Sequence, residues 1–325
     1  MITIKQTSME DVKIFSGTSN PQLAAAVCRL LGLSLGVAKI SRFSSGEIYV
    51  NIGESVRGSD VYVFQSFSRP VNENFVELLV MIDALKRSSA GRINVIMPYY
   101  GYARQEKQDA PREPITAKMV ADVLTTVGAE RVITMDLHAP AIQGFFDIPV
   151  DHMSALDLFA DYLRQKDLSQ AVVISPDAGR AKTAERLATD LNLPVALMNK
   201  RRPKHNEAEI THVIGDVRDK VPIIIEDMID TGGTLIKVVE GLVENGARPE
   251  VLLCATHAVF SHPAPERLAH PSIAEVVVTD SLPIQPQKQE RLKVLSVAPL
   301  FAEAIHRIHH NRSISKLFLE SNRET

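Results

Sequence analysis

Tryptophan is missing from the 325 residues, aromatic residues make up 5% of them, and cysteine occurs twice. Cys28 and Cys254 sit in apolar surroundings without metal-ligand spacing, which argues against a disulfide-stapled or thiolate-metal fold and fits reduced core thiols in a cytosol. No apolar run approaches the ~18 residues of a membrane span, and no basic-then-apolar leader opens the chain. A soluble, cytoplasmic protein with no membrane partner is therefore expected. Charge of one sign is lacking too: 36 Lys and Arg stand against 39 Asp and Glu, and the net charge of −3 offers no general field for nucleic acid. Neither a short tandem repeat nor a low-complexity stretch is visible.

What the chain does have is length and alternation. With 45% apolar residues, 325 positions suit two cores of roughly 150 residues each. Strand-like runs at 12–15, 61–65, 93–97 and 132–137 alternate with helical periodicity at 22–31, 72–88 and 116–127. The scheme repeats with strands at 171–175, 195–198, 223–225, 251–255 and 276–278 and helices at 181–191, 235–243 and 298–309. Such alternation predicts an α/β protein of two doubly wound domains with mostly parallel sheets, at 1–150 and 151–325, the boundary lying near 148–154.

The most informative stretch runs from Ile223 to Thr234. Ile223, Ile224 and Ile225 read as a strand buried on both faces, ending on the carboxylates Glu226 and Asp227. Asp230, Thr231, Gly232, Gly233 and Thr234 follow and open a helix. Glycines let the backbone curl and aim N–H groups at one point, and threonine hydroxyls add donors, so the turn suits a phosphate monoester. The carboxylates beside it suit sugar hydroxyls or a hard cation such as Mg²⁺. Together these describe a place for ribose 5-phosphate, and the run resembles the ribose-phosphate signature of the type I phosphoribosyltransferase fold.

Four further loops carry chemistry. Residues 98–114 leave a buried strand and stay polar; Tyr99, Tyr100, Gly101 and Tyr102 at their root suit a flap, with Arg104, Lys107 and Arg112 free to clamp polyphosphate oxygens. His138 ends a strand, where α/β ligand crevices form and an imidazole can join a metal shell. Asp177, in Ser175-Pro176-Asp177-Ala178-Gly179, repeats that geometry as a metal ligand, a helix cap or both. Lys200 and Arg202 alternate in an extended segment before Pro203, so both face one side, as the charged transition state of phosphoryl transfer requires.

These loops, in this order, resemble the ribose-phosphate pyrophosphokinase family from residue 14 to residue 318. The resemblance rests on Arg42-Phe43-Ser44, Pro98-Tyr99-Tyr100-Gly101-Tyr102-Ala103-Arg104-Gln105, Asp136-Leu137-His138-Ala139, Lys200-Arg201-Arg202-Pro203 and the run from Glu226 to Thr234. It implies that the anomeric hydroxyl of ribose 5-phosphate attacks the β-phosphorus of ATP, with Mg²⁺ required, in a homo-oligomer, a hexamer. Position by position it implies catalytic Lys200 and Arg202, a metal site at His138 and Asp177, and a ribose 5-phosphate site at Glu226, Asp227, Asp230, Thr231, Gly232, Gly233 and Thr234. The ATP site falls on Phe43, Ser45, Glu47, Arg104 and Gln105, and a regulatory site on Ser55, Arg57, Ser313 and Ser315. Departures are Ser45 where the family usually carries Asp, a flap of reduced arginine content, and Arg180 in place of a second glycine. With its carboxylate acceptor replaced by a rotatable hydroxyl, Ser45 is expected to lower selectivity for adenine. A phosphoribosyltransferase needs neither the flap nor the basic cluster, and a non-catalytic regulatory subunit has no use for His138, Asp177, Lys200, Arg202 and Arg104 together.

Overall fold

The computed structural model describes residues 9–204, 207–284 and 291–315, with the backbone alone at 199–204 and 207–212. In chain order, β1 (Val12–Ser16) leads to α1 (Pro21–Leu31), the hairpin strands β2 (Ala38–Arg42) and β3 (Ile48–Ile52), β4 (Asp60–Phe64), α2 (Val71–Arg87), β5 (Arg92–Met97), α3 (Thr116–Val127), β6 (Arg131–Met135) and β7 (Val150–Met153). Next come α4 (Leu156–Leu163), β8 (Ala171–Ser175), α5 (Ala181–Leu191), β9 (Val195–Lys204), β10 (Glu207–Ile214), β11 (Val221–Ile229) and α6 (Gly233–Glu244). The chain closes with β12 (Val251–Ala258), α7 (Ala264–Leu268), β13 (Ile273–Thr279), β14 (Leu292–Leu295) and α8 (Ala298–His309).

Contacts divide the chain into one unit of Met1–Ser154, Ser281–Pro283 and Ser296–Thr325 and another of Ala155–Asp280 and Ile284–Leu295. The sequence sets the second domain at 151–325; the described structure instead gives α8 to the first unit. Its apolar face explains why: Phe301, Ala302, Ile305 and Ile308 are buried, the helix packs on α1, and the Phe301 ring meets Phe64 edge-on at 6.0 Å. Burial pushes the Cys28 thiol up to about 11 and the Cys254 thiol up to about 12, so both are protonated core groups at neutral pH. Among the described residues no helix is long and apolar enough to cross a membrane.

In the first unit β1, β4, β5, β6 and β7 form a parallel sheet in that order. The other edge of β1 carries a single parallel bridge, Ile14 to Leu35, with Gly36 N–H donating to Ile14 O at 2.7 Å. Only glycine fits at 36, because an added Cβ would stand 2.5 Å from the Phe15 ring. The chain thus visits one side of β1 before crossing to β4, and double winding in this unit rests on that one bridge. In the second unit the order is β10-β9-β8-β11-β12-β13-β14, parallel except for β10. Here strand order reverses between β8 and β11, and the core gathers Ile224, Val238, Leu242, Leu253 and Val276 around them.

Asp60 ties α8 to the first sheet. Its carboxylate accepts from Arg92 Nε at 2.8 Å, Asn94 Nδ2 at 2.8 Å and the Tyr62 hydroxyl at 3.1 Å, and pairs with His309 Nδ1 at 2.9 Å. Burial alone would raise its pKa, but the bonds to Arg92, His309 and Asn94 outweigh burial and hold it below the ordinary aspartate value. A lowered carboxylate pKa adds stability that is full above the unfolded value and is lost as pH falls through the folded one. Asp60→Asn is expected to cost about 1.5–3 kcal/mol at neutral pH, the scale of hydrogen bonds to a charged group. Urea unfolding followed from pH 7 downward checks it: the gap between the two proteins should close below the ordinary aspartate range, and a gap independent of pH would assign the loss to packing.

Candidate active site

The second unit places its chemistry at the reversal of strand order. β8 pairs with β11 from Ala171 and Val221 up to Ile174 and Ile224, and there the pairing stops. The sequence expects β11 to end near Ile225, yet it runs on through Ile229, because Met228 and Ile229 still pair with His257 and Ala258 of β12. Glu226 and Asp227 therefore lie within the strand, just past the end of β8. The chain leaving β8 turns there: Ser175 Oγ donates to Asp177 O at 2.7 Å, and Asp177 Oδ1 accepts from Gly179 N–H at 3.0 Å, capping the 3-10 turn Ala178–Arg180. Arg180 then reaches across to β11, its Nη2 2.6 Å from Asp227 Oδ2 and its Nε 3.8 Å from Glu226 Oε2. Burying a carboxylate without a partner is costly, and the arginine supplies a charged partner to Asp227, 4% of whose side chain is exposed.

Beyond β11, Asp230 and Thr231 lead to Gly232, whose φ of +73° is left-handed and caps α6. The loop therefore curls as the sequence expects, and Gly233 starts a 12-residue helix without a side-chain cap at Gly232. One residue at this turn is missed by sequence reasoning. Arg267 of α7 donates from Nη1 to Thr231 O at 2.9 Å, and a Cβ on Gly233 would stand 3.0 Å from that same nitrogen. No spacing ties Arg267 to a turn some three dozen positions earlier; only the fold brings it there.

In the first unit Phe43, Ser45 and Glu47 occupy the β2–β3 turn, closed by Phe43 N–H on Glu47 O and Gly46 N–H on Phe43 O, both at 2.9 Å. Phe43 stands 57% exposed, its ring edge-on to Tyr49 at 5.6 Å, so one aromatic face is offered outward. The Ser45 hydroxyl donates to the Glu47 carboxylate. The flap root is anchored as expected: Tyr99 and Tyr100 are buried, Tyr100 donates to Ala117 O at 2.8 Å, and a Cβ on Gly101 would strike the Phe67 ring. Arg104 and Gln105 are exposed past that root, and Gln105 O accepts from Ala117 N–H at 3.2 Å. His138 is exposed after β6, in a loop fixed by Leu137 N–H donating to His152 Nε2 at 2.8 Å.

Of the expected residues, then, Asp177 caps the turn whose Arg180 pairs with Glu226 and Asp227, and Ser45 is brought to Glu47. His138 belongs to the first unit and Asp177 to the second. The Lys200 and Arg202 backbones lie in β9, which runs through Lys204 and pairs with β10; their side chains lie outside the described residues. Ser55 and Arg57 are exposed after β3, whereas Ser313 and Ser315 follow α8, their hydroxyls 2.8 Å apart.

A two-unit α/β chain with an acidic pair and a glycine-rich helix start at the strand reversal is built to hold a phosphorylated small molecule. The pattern of the N-terminal domain of ribose phosphate pyrophosphokinase matches residues 12–128, and that of the phosphoribosyl synthetase-associated domain matches residues 200–319. Ribose-phosphate pyrophosphokinase of Caldanaerobacter subterraneus is 54% identical over 309 residues, 94% of this chain and 98% of its own. That of Bacillus subtilis is 50% identical over 310 residues, 95% of this chain and 98% of its own. The crystal structure of phosphoribosylpyrophosphate synthetase from Mycobacterium smegmatis shares 45% identity at a TM-score of 0.87, covering 93% of this chain and all of that one. The chain belongs to the ribose-phosphate pyrophosphokinase family.

Arg267 gives the phosphate turn a test of its own. A charge-assisted hydrogen bond to a bound phosphate monoester should make Arg267→Ala bind it ~10-fold more weakly, a value below that of a buried pair because the side chain is exposed. Calorimetry with ribose 5-phosphate reads this; equal affinity in both proteins would leave Arg267 only a brace for Thr231.

Proposed function

We propose that the chain transfers the pyrophosphoryl group of ATP to the anomeric hydroxyl of ribose 5-phosphate, giving phosphoribosyl pyrophosphate and AMP. The observation that carries this reading is the acidic pair and phosphate turn at the β8–β11 reversal, on a chain alike over nearly its full length to ribose-phosphate pyrophosphokinases. The sugar's O1 bonds to the β-phosphorus, the bond from that phosphorus to the oxygen bridging to the α-phosphorus breaks, AMP keeps that oxygen, and the hydroxyl proton is lost. Thr231, Gly232, Gly233 and Thr234 hold the 5-phosphate, and Glu226 and Asp227 accept from ring hydroxyls. Phe43 stacks on the base, while Arg104 and Gln105 attend the polyphosphate. Lys200 and Arg202 meet charge that develops in transfer. The runner-up, a phosphoribosyltransferase, leaves the flap and the basic cluster of β9 without a task.

Mg²⁺ is the divalent cation we assign. It prefers oxygen ligands and keeps several places for phosphate and water, which suits the Asp177 carboxylate, and His138 joins the assignment on the family resemblance alone. When bound it supplies neutralisation of polyphosphate charge. A homo-oligomer, a hexamer, and a cytoplasmic setting belong to the same reading, and light scattering reads the first.

The decisive assay is AMP formation from ATP by the purified chain, expected only when ribose 5-phosphate and Mg²⁺ are both present; AMP made without the sugar would refute the transfer. Lys200→Ala or Arg202→Ala should lower turnover ~10²–10³-fold with little change in the Michaelis constant for ribose 5-phosphate. A raised constant at full turnover would move the cluster to ground-state binding.

The hydrogen bond from Ser45 to Glu47 bears on the base. Because its proton is directed at Glu47, the hydroxyl oxygen presents lone pairs outward and acts as the acceptor that an adenine amino group needs. On this reading the expected loss of selectivity for adenine is offset. Glu47→Ala frees the rotor and should reduce the ratio of ATP to GTP specificity constants ~10-fold, the effect of about one unpaired polar group. Ser45→Asp should leave that ratio near its starting value; a large rise there, with no fall in Glu47→Ala, would restore the free-hydroxyl reading.

A further inference from the structure

Arg180 lies between the β8 turn and the acidic pair of β11, and its contacts bear on what that pair can bind. An adjacent Glu and Asp at a strand reversal suit either a hard cation or the hydroxyls of a sugar. Here the place beside them is taken. The guanidinium lies 2.6 Å from Asp227 and 3.8 Å from Glu226, and 15% of the arginine side chain is exposed. Its backbone is held as well: Arg180 ends the 3-10 turn Ala178–Arg180, donates its N–H to Asp177 O at 3.2 Å, and is followed at once by α5. A residue fixed by the turn at one end and by carboxylates at the other is part of the site's frame.

A divalent ion coordinates carboxylate oxygens at ~2.0–2.1 Å when it is Mg²⁺, and at this pair it would meet a second positive group competing for the same lone pairs. Hydroxyls face no such conflict. Each ionised carboxylate has about four accepting positions, so donors from a sugar can bind beside the guanidinium. The rigid arginine fork also fixes which carboxylate lone pairs remain available.

We propose that Arg180 is a built-in counter-cation for Glu226 and Asp227, a positioning residue that reserves the pair for sugar hydroxyls and bars a divalent cation from it. The sugar half of this statement rests on the ribose 5-phosphate reading given above; the charge half does not.

Mn²⁺ titration of the full chain without nucleotide, followed by electron paramagnetic resonance, separates the halves. Arg180→Gln should bind one Mn²⁺ per chain more than the wild type. Arg180→Lys, which keeps the charge, should match the wild type, and Arg180→Gln with Asp227→Asn should lose the added ion. Calorimetry with ribose 5-phosphate should show a wild-type affinity indifferent to Mg²⁺, and an Arg180→Gln affinity at least ~10-fold weaker that recovers as Mg²⁺ is added. An Arg180→Gln protein with the wild-type Mn²⁺ count and Mg²⁺-independent sugar binding overturns the proposal. So does a loss of Mn²⁺ on Asp227→Asn in the otherwise native chain, a measurement that needs no arginine variant to fold. A wild type that fails to bind ribose 5-phosphate while Arg180→Gln still gains Mn²⁺ would discard the sugar reading and uphold the counter-cation.

Discussion

β8 and β11 share backbone pairing as far as Ile174 and Ile224 and then part, while β11 stays bound to β12 through Ile229. That unequal ending is the constraint from which the second unit's site follows. Past the last shared pair, β11 is supported by β12 but no longer covered by β8, so polar side chains can be carried on a rigid strand without burial among apolar neighbours. Asp227 is nonetheless largely enclosed, and an ionised carboxylate so placed needs a partner. The partner comes from the segment that leaves β8, because Arg180 is the fifth residue after Ser175 and the turn brings it back over the gap. Strand length, turn geometry and charge balance are one arrangement.

The corresponding place in the first unit is resolved in the opposite way. At the ends of β1 and β4, buried Glu77 accepts from Thr18 N–H at 2.6 Å, from the Thr18 hydroxyl at 2.9 Å and from Gln65 Nε2 at 2.9 Å. Gly17 leaves no room even for a methyl group, since an added Cβ would stand 2.3 Å from Gln65 Oε1. There the reversal of strand order is filled by the protein's own hydrogen bonds. The residues assigned to the nucleotide lie instead on the β2–β3 turn and on the loop that follows β5. One α/β plan thus carries an ion-paired acidic pair at its reversal in one unit and a hydrogen-bonded plug in the other.

These differences set what the sequence can disclose. Ile223, Ile224 and Ile225 announce a central strand because three β-branched residues in a row suit burial on both faces, and the Gly232 turn is legible because left-handed backbone favours glycine. β7, β10 and β14 escape notice because they are edge strands, whose residues answer to a single neighbour and need no long apolar run. Periodicity finds α8 but not its unit, since an apolar helix face does not say which sheet it covers. Arg267 and the reach of Arg180 to Asp227 are contacts between segments far apart in the chain, and no local pattern encodes them.

At Ser45 and Arg180 the neighbouring side chains decide what polarity is presented. Ser45 donates its hydroxyl hydrogen bond to Glu47, two residues on, which leaves the oxygen's lone pairs as acceptors. The charge of Arg180 is met by Asp227 and Glu226. In both cases what persists is the direction in which polar groups face: acceptors outward at the hairpin, accepting carboxylates beside a phosphate turn at the strand reversal. Dipoles and charges held in place before the ligand arrives need no costly reorganisation when charge develops. The polarity presented at either place therefore belongs to a pair of side chains rather than to one residue.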